Sequence, residues 1–353
     1  MKNAFIRAGF IILSLLLLAV VIFCLVFRNE LRSLASIRKL DEHPLLSMTY
    51  YGDYGFDKFL KTGAANDREV ERFITKNMTR GLPVDFGMTG GGCTVFVVKN
   101  ELGETLFCRN YDFPYTPAMQ VFTSPDNGFR SVSTSELDFI GYDNKDSAPS
   151  GVNPNSIFAL ATPYMPWDGM NDKGLAIALL AVSESYGPSG GDRITLGTTT
   201  IIRLVLDKAS TVDEAVELMR QYNIYFSGGV FCHFLIADSS GKSVLAEYWD
   251  GELQTVTAEE DYQVASNFIA YNGLNIGEGY NEFERYDAAK SAIEENGGYL
   301  TQQQAIDLLT EVGIYVNGVN RLQWTVVYNL NNLDGVIFAR RNTENIIHFR
   351  LRP

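Results

Sequence analysis

Twenty consecutive uncharged residues, Ala8 to Phe27 (AGFIILSLLLLAVVIFCLVF), constrain this chain more than any other feature. At about 1.5 Å per residue, a helix of that length covers roughly 30 Å, the depth of a bilayer's hydrocarbon core. A cleaved signal peptide has a shorter apolar region, about 7–15 residues, closed by a small-x-small site. Here the run ends directly in Arg28, Asn29 and Glu30, and Cys24 follows Phe23, a poor predecessor for a lipoprotein cleavage site. The run therefore reads as an uncleaved single-pass transmembrane anchor behind a short tail, residues 1–7. Lys2 and Arg7 precede it while Arg28, Arg32, Arg38 and Lys39 follow, and that bias taken alone favours a cytoplasmic C-terminal side. A short tail before a leading hydrophobic segment resembles an export signal, so the large domain is expected outside the cytoplasm, held at the cell membrane.

Beyond the anchor, composition removes several classes of function. Acidic residues number 42 against 29 basic ones, a formal net charge of −13. A surface that tracks phosphates needs the opposite sign, so no nucleic-acid partner is expected. Four cysteines cannot staple 353 residues. The three histidines, His43, His233 and His348, lie far apart, and no Cys-x-x-Cys or His-Glu-x-x-His pattern occurs, so neither a metal nor a cofactor is expected.

Residues 28–92 read as a polar linker or pro-segment with one helix, Asp67–Asn77, closing in Thr89-Gly90-Gly91-Gly92. Three successive glycines abolish regular structure and leave the backbone free. The character changes at Cys93. Cys93–Lys99 and Thr105–Asn110 read as a hairpin, residues 113–156 as long aromatic-bearing loops, and Leu175–Val182 as a buried strand. Helices follow at Thr198–Lys208 and after the capping-box spacing Thr211–Glu214, then strands at 231–237, 244–249, 253–256 and 262–266. Helices at Tyr280–Glu295 and Thr301–Val312 and strands at 324–329, 335–340 and 346–349 complete an α+β order with mainly antiparallel pairing across one domain, residues 93–353.

A cysteine nucleophile needs a base and a cation that favours the thiolate. His233 in FCHFLIAD is one base, although its flanks read as a buried strand and a packed core histidine. The other is the α-amine that cleavage of the Gly92–Cys93 bond would free, whose ordinary pKa is about 7.7–8.0. Taken singly the neighbouring polar residues are unremarkable. Arg109 and Asp112 suit a strand-end ion pair, Asn171-Asp-Lys-Gly174 a turn, and Arg285 a solvated helix face.

Taken together, Cys93-Thr94 followed at 16 and 19 residues by Arg109 and Asp112, Gly169-Met-Asn-Asp-Lys-Gly-Leu175, His233–Asp238 with Glu247, Asn267, and Glu284-Arg285-Tyr286 resemble the N-terminal-nucleophile cysteine hydrolases. That group includes choloylglycine hydrolases, penicillin V acylases and the isopenicillin-N acyltransferase-like proteins. The resemblance implies a four-layer αββα sandwich of two antiparallel sheets behind the membrane helix. It implies Cys93 as nucleophile with its own amine as base, Arg109 beside the thiol, and Asp112 orienting the ammonium. Asn171 would donate to the oxyanion, Asn267 would be a second polar contact to the intermediate, and Arg285 would hold the site's geometry. The implied reaction is hydrolysis of a linear amide in a small-molecule N-acyl substrate with an apolar or aromatic acyl part, through an acyl-thioester. Acyl transfer to an amine is the alternative on the same fold, and an unprocessed, inert membrane-anchored binding protein is the alternative of another class. A homo-oligomer is compatible with all three.

Overall fold

The computed structural model describes residues 2–87, 91–143, 147–258, 260–277, 279 and 281–351. Thr89 and Gly90, where the glycine run begins, lie outside the described residues, as does Tyr280, expected to open a helix. The chain starts with helix α1, Lys2–Val26, and a short continuation, α2, Arg28–Ala35. Residues Gly9–Val26 of α1 have a mean hydropathy of 3.2 and none is buried. By length and composition this helix can cross a membrane.

Strands β1 (Arg38–Asp41), β2 (Leu45–Thr49), β5 (Ala118–Thr123), β6 (Ser131–Glu136), β7 (Asp168–Asn171), β8 (Leu175–Ala181), β9 (Cys232–Asp238), β10 (Ser243–Trp249) and β11 (Glu252–Thr257) form one sheet, in that order. A second sheet runs β12 (Gln263–Ala265), β3 (Gly92–Lys99), β4 (Thr105–Asp112), β13 (Leu322–Asn329), β14 (Asp334–Ala339), β15 (Ile347–Arg350). Among the described residues, neighbours within these two sheets pair antiparallel except β2 and β5, which run parallel. Helices Thr198–Lys208 and Val212–Met219 pack on the first sheet, Glu282–Glu295 and Gln302–Val312 on the second, and β3 faces β8 and β9. The chain is mixed α+β.

The continuous apolarity of β3 follows from burial on both faces. Side chains alternate across a strand, so Cys93, Val95 and Val97 enter the core shared with the first sheet. Phe96 and Val98 enter a separate core with Ala289, Ile293, Ala305 and Leu309 of the helices.

Two segments differ from the sequence reading. The supposed loops after Phe113 contain β5 and β6, and β6 (SVSTSE) is buried along its whole length. Its interior is polar because its hydroxyls surround a buried cation: Arg203 donates to Ser131 Oγ at 2.9 Å and Ser133 Oγ at 3.3 Å. Residues 38–49, read within a polar linker, supply β1 and β2, with Leu45, Leu46 and Met48 buried.

Candidate active site

The β3–β4 hairpin explains the spacing of the first three residues. Its register sets Cys93 opposite Tyr111 and Gly92 opposite Asp112. Residues two apart share a face, so Arg109, diagonal to Cys93, points to the same side as the thiol. The Arg109 Nη2 donates to Cys93 Sγ at 3.5 Å. Asp112 lies one residue off and faces the helices, where its Oδ1 accepts from the Ile314 N–H at 2.8 Å and its buried Oδ2 has no partner among the described residues.

Two later segments close around the cysteine backbone. Asn267 follows β12, which pairs with β3. Its Oδ1 accepts from the Cys93 N–H at 2.8 Å and from Arg285 Nη2 at 2.7 Å, and its Nδ2 donates to the Ala181 carbonyl at 2.8 Å. Arg285, from helix Glu282–Glu295, also donates through Nη1 to the Cys93 carbonyl at 2.5 Å and to Thr94 Oγ1 at 2.7 Å. It is buried among these partners and is not a solvated helix face. Cys93, Arg109, Asp112, Asn267 and Arg285 thus converge.

Asn171 does not join them. Its Nδ2 donates to the Leu206 and Ala209 carbonyls at the end of helix Thr198–Lys208, and its Oδ1 accepts from the Lys173 and Leu175 N–H groups. Both donor hydrogens and both lone pairs are spent closing a turn and a helix end. It sits by the first residue of β8, whereas Ala181, the residue tied to Asn267, is the last, so the two lie roughly 20 Å apart at about 3.3 Å per residue. The oxyanion role expected of Asn171 is therefore corrected: family-like spelling in Gly169–Leu175 marks a β7–β8 turn. The contact expected from Asn267 is changed as well, since its amide nitrogen is already engaged and its oxygen holds the Cys93 nitrogen.

Sequence reasoning missed the acid that balances Arg109. Asp168 accepts from Arg109 Nη1 at 2.7 Å, from Trp324 Nε1 at 3.0 Å and, on its other oxygen, from the Tyr328 hydroxyl at 2.7 Å. Both partners of this ion pair are fully buried. A lone charge in the stretch PYMPWDGM was its signal, because a buried acid demands a partner. An aromatic cluster flanks the same face, with Tyr111 stacked on Trp324 at a 4.1 Å centroid distance and beside Trp167 and Phe113. The Tyr111 hydroxyl donates to Glu136 at 2.6 Å, and burial pushes that carboxyl up to about 8.

Electrostatics at the cysteine are opposed. Burial pushes the thiol above its ordinary value; Arg109 and Arg285 pull it down, and Asp112 pushes it up. Burial also raises the Asp112 carboxyl to about 6, against the Ile314 N–H and the Arg285, Arg341 and Arg109 charges. Cys93 is 1% exposed. The residues before it are closely fitted: a Cβ on Gly91 would lie 2.7 Å from the Asp112 carbonyl oxygen, and one on Gly92 would meet Ile314 at 2.2 Å. Among the described residues, no group of three His, Cys, Asp or Glu side chains is arranged to hold a metal.

Comparison with known proteins gives a penicillin V acylase of Pectobacterium atrosepticum that is 33% identical over 111 residues, 28% of this chain and 29% of that relative. The match thus spans less than a third of the relative's length. Among solved structures, a mutant of the conjugated bile acid hydrolase of Clostridium perfringens superposes with a TM-score of 0.54 at 16% identity, covering 73% of this chain and 92% of that one. The penicillin V acylase of Agrobacterium tumefaciens gives 0.52 at 18%, covering 73% and 86%. At these identities the two structures show the fold, a mixed α+β arrangement similar to N-terminal-nucleophile hydrolases. The family model described as linear amide C–N hydrolases, choloylglycine hydrolase family, matches residues 93–294. That is more than half of the chain, and the match opens at the residue around which Arg109, Asp112, Asn267 and Arg285 gather, so the chain belongs to the choloylglycine hydrolase family.

Proposed function

We propose that this protein hydrolyses the linear amide of a small-molecule N-acyl substrate with Cys93 as nucleophile, after its chain is cut between Gly92 and Cys93. The observation that carries the reading is the pairing of Cys93 Sγ with Arg109 on one side and of its backbone nitrogen with Asn267 Oδ1 on the other. Cutting turns that nitrogen into an amine with a lone pair, on the same residue as the thiol, with Asn267 Oδ1 and Asp112 Oδ2 as acceptors for its hydrogens. Cutting also frees the chain before Cys93 to move, and the buried thiol can then meet a substrate.

The chemistry follows in balanced steps. The amine takes the thiol proton, the sulfur adds to the substrate carbonyl carbon, and the carbonyl electron pair moves to oxygen. The oxygen's pair then returns, the carbon–nitrogen bond breaks, and the ammonium passes its proton to the departing amine. Water, deprotonated by the α-amine, adds to the thioester; the carbon–sulfur bond breaks and the sulfur regains a proton. Arg109 favours the charged sulfur. The rings of Tyr111, Phe113 and Trp167 favour an apolar or aromatic acyl group, in keeping with the substrates that the relatives' names give: conjugated bile acids and penicillin V.

On the same reading, the two sheets and the helices outside them form four layers, and α1 anchors the protein in a membrane with the catalytic part outside the cytoplasm. The unburied, apolar length of Gly9–Val26 supports an anchor. The test is mass spectrometry of the purified full chain before and after incubation with phenoxyacetyl and bile-acid amides, quenched in acid. A fragment beginning at Cys93 that gains one acyl mass is the expected result. An active chain with an intact 92–93 bond would overturn the proposal.

A further inference from the structure

Among the buried ionisable groups that this mechanism leaves unused, one pair brackets Asn267. His233 and Glu247 are buried on the adjacent strands β9 and β10. The His233 Nδ1 lies 2.7 Å from Glu247 Oε1, and its Nε2 lies 2.9 Å from the Ser266 carbonyl oxygen. A peptide carbonyl only accepts, so Nε2 carries hydrogen and donates. Glu247 in turn accepts from the Ala270 N–H on Oε1 at 3.1 Å and the Tyr271 N–H on Oε2 at 2.8 Å. Burial works to raise this carboxyl, but the His233 contact and the two N–H groups outweigh it and hold it below the ordinary range.

The pair therefore grips the chain on both sides of Asn267, at residue 266 and at residues 270 and 271. Ser266 Oγ adds a further tie to the Glu282 carbonyl at 2.7 Å, three residues from Arg285. What stands between the grips is the side chain whose oxygen receives the Cys93 nitrogen. A histidine that only filled the core would need a partner at each ring nitrogen, but not a carboxylate that reaches across to two amides of the same loop.

We propose that His233 and Glu247 are positioning residues that hold Asn267 against the nitrogen of Cys93, and so aim the α-amine at the thiol. The inference rests on the reading of Cys93 as an N-terminal nucleophile. Neither residue touches the substrate. A displacement of about 1 Å at a reacting group costs on the order of 10²-fold in rate.

The experiment compares His233→Leu, His233→Gln and Glu247→Gln in the full membrane-anchored chain, measuring kcat, KM and Tm against a hydrolysed amide. Glutamine at 233 can still present a donor to the Ser266 carbonyl; leucine cannot. Expected are a kcat at least 30-fold lower in His233→Leu with KM within threefold, recovery to within tenfold of wild type in His233→Gln, and roughly a tenfold loss in Glu247→Gln. If leucine at 233 prevents folding, the two glutamine variants decide. Wild-type kcat in all folded variants, or a KM rise without a kcat loss, would overturn the positioning role while leaving the proposed function intact. An inactive and uncut wild-type chain would remove the proposed function and this inference together.

Discussion

The buried Arg109 offers a test in which two substitutions at one ion pair share a stability cost and differ in what they do to the thiolate. Arg109→Met keeps an unbranched stem and deletes the charge 3.5 Å from Cys93 Sγ. At an effective dielectric near 20, a unit charge at that distance stabilises a thiolate by about 5 kcal/mol, or roughly 10³–10⁴-fold. Arg285 and a rearranged Asp168 blunt that figure, so a loss of roughly 10²–10³ is expected. It should appear equally in iodoacetamide alkylation of Cys93 and in kcat/KM, because both report the charged sulfur. Asp168→Asn shares the stability cost of a broken buried pair but keeps the charge beside the sulfur. It leaves the guanidinium in place, still donating to the Trp167 carbonyl at 2.5 Å, but removes a counter-charge at 2.7 Å in a site with no solvent. Stripping one partner from a buried pair costs about 3–5 kcal/mol of stability. Asp168→Asn should therefore show a lowered Tm with alkylation less than tenfold slower. Arg109→Met within threefold of wild type, or the two variants slowing alkylation alike, would refute the assignment of thiolate stabilisation to Arg109.

Three further outcomes follow. Asn171→Ala should cost about 1–3 kcal/mol in urea unfolding, because it orphans the Leu206 and Ala209 carbonyls and two turn amides, yet its folded fraction should keep kcat within threefold; a 10²-fold loss would return it to the oxyanion. Glu136 is held at about 8 from an ordinary 4.5, so the fold favours its protonated form: that stability is complete below about 4.5 and lost as pH rises through 8, roughly 4–5 kcal/mol in all. Glu136→Gln should flatten the fall of Tm between pH 6 and 9, and an unchanged slope would reject it. After cutting before Cys93, residues 1–92 and 93–353 should elute together in mild detergent and separate only in denaturant; early release of the small fragment would contradict the packing of β2 on β5.

Legibility in the sequence tracked how local the physics was. The Cys93–Asp112 relation was readable because a tight hairpin at Asn100–Gly103 converts linear spacing into register, with little freedom left. Helix starts at Thr211 and Thr301 were readable because each threonine hydroxyl accepts from the backbone N–H three residues on. Asn171 misled because a short motif can be spelled alike in a turn and in a site, and only the partners of its amide tell them apart. Strand β6 was hidden since its interior is serine and threonine, which carry no hydrophobic period. It became a strand only by meeting Arg203 from a helix some 70 residues later, a contact that no window of sequence contains.

The same non-local contacts bear on what a cut before Cys93 would do. Residues 28–78 are not a tether laid over a finished domain. Leu45, Leu46 and Met48 are buried along β5, Phe56, Phe59, Val70 and Ile74 are buried beyond it, and each such side chain stabilises by about 1.5–3 kcal/mol on burial. The Tyr54 hydroxyl donates to Asp207 at 2.7 Å, inside the network that also holds Arg203. Those interactions are made with the first sheet and its helix, whereas β3 belongs to the second sheet, and none involves the peptide bond at residue 92. The stretch against the cysteine is different in kind: two glycines, fitted by close approach to Asp112 and Ile314 rather than by buried apolar surface. Cutting there would remove the covalent hold from a segment tied to the sheet, among the described residues, by Gly92 alone, opposite Asp112, and leave untouched the segment with much apolar burial. The N-terminal segment, helix α1 included, would then stay attached by its packing rather than by the chain.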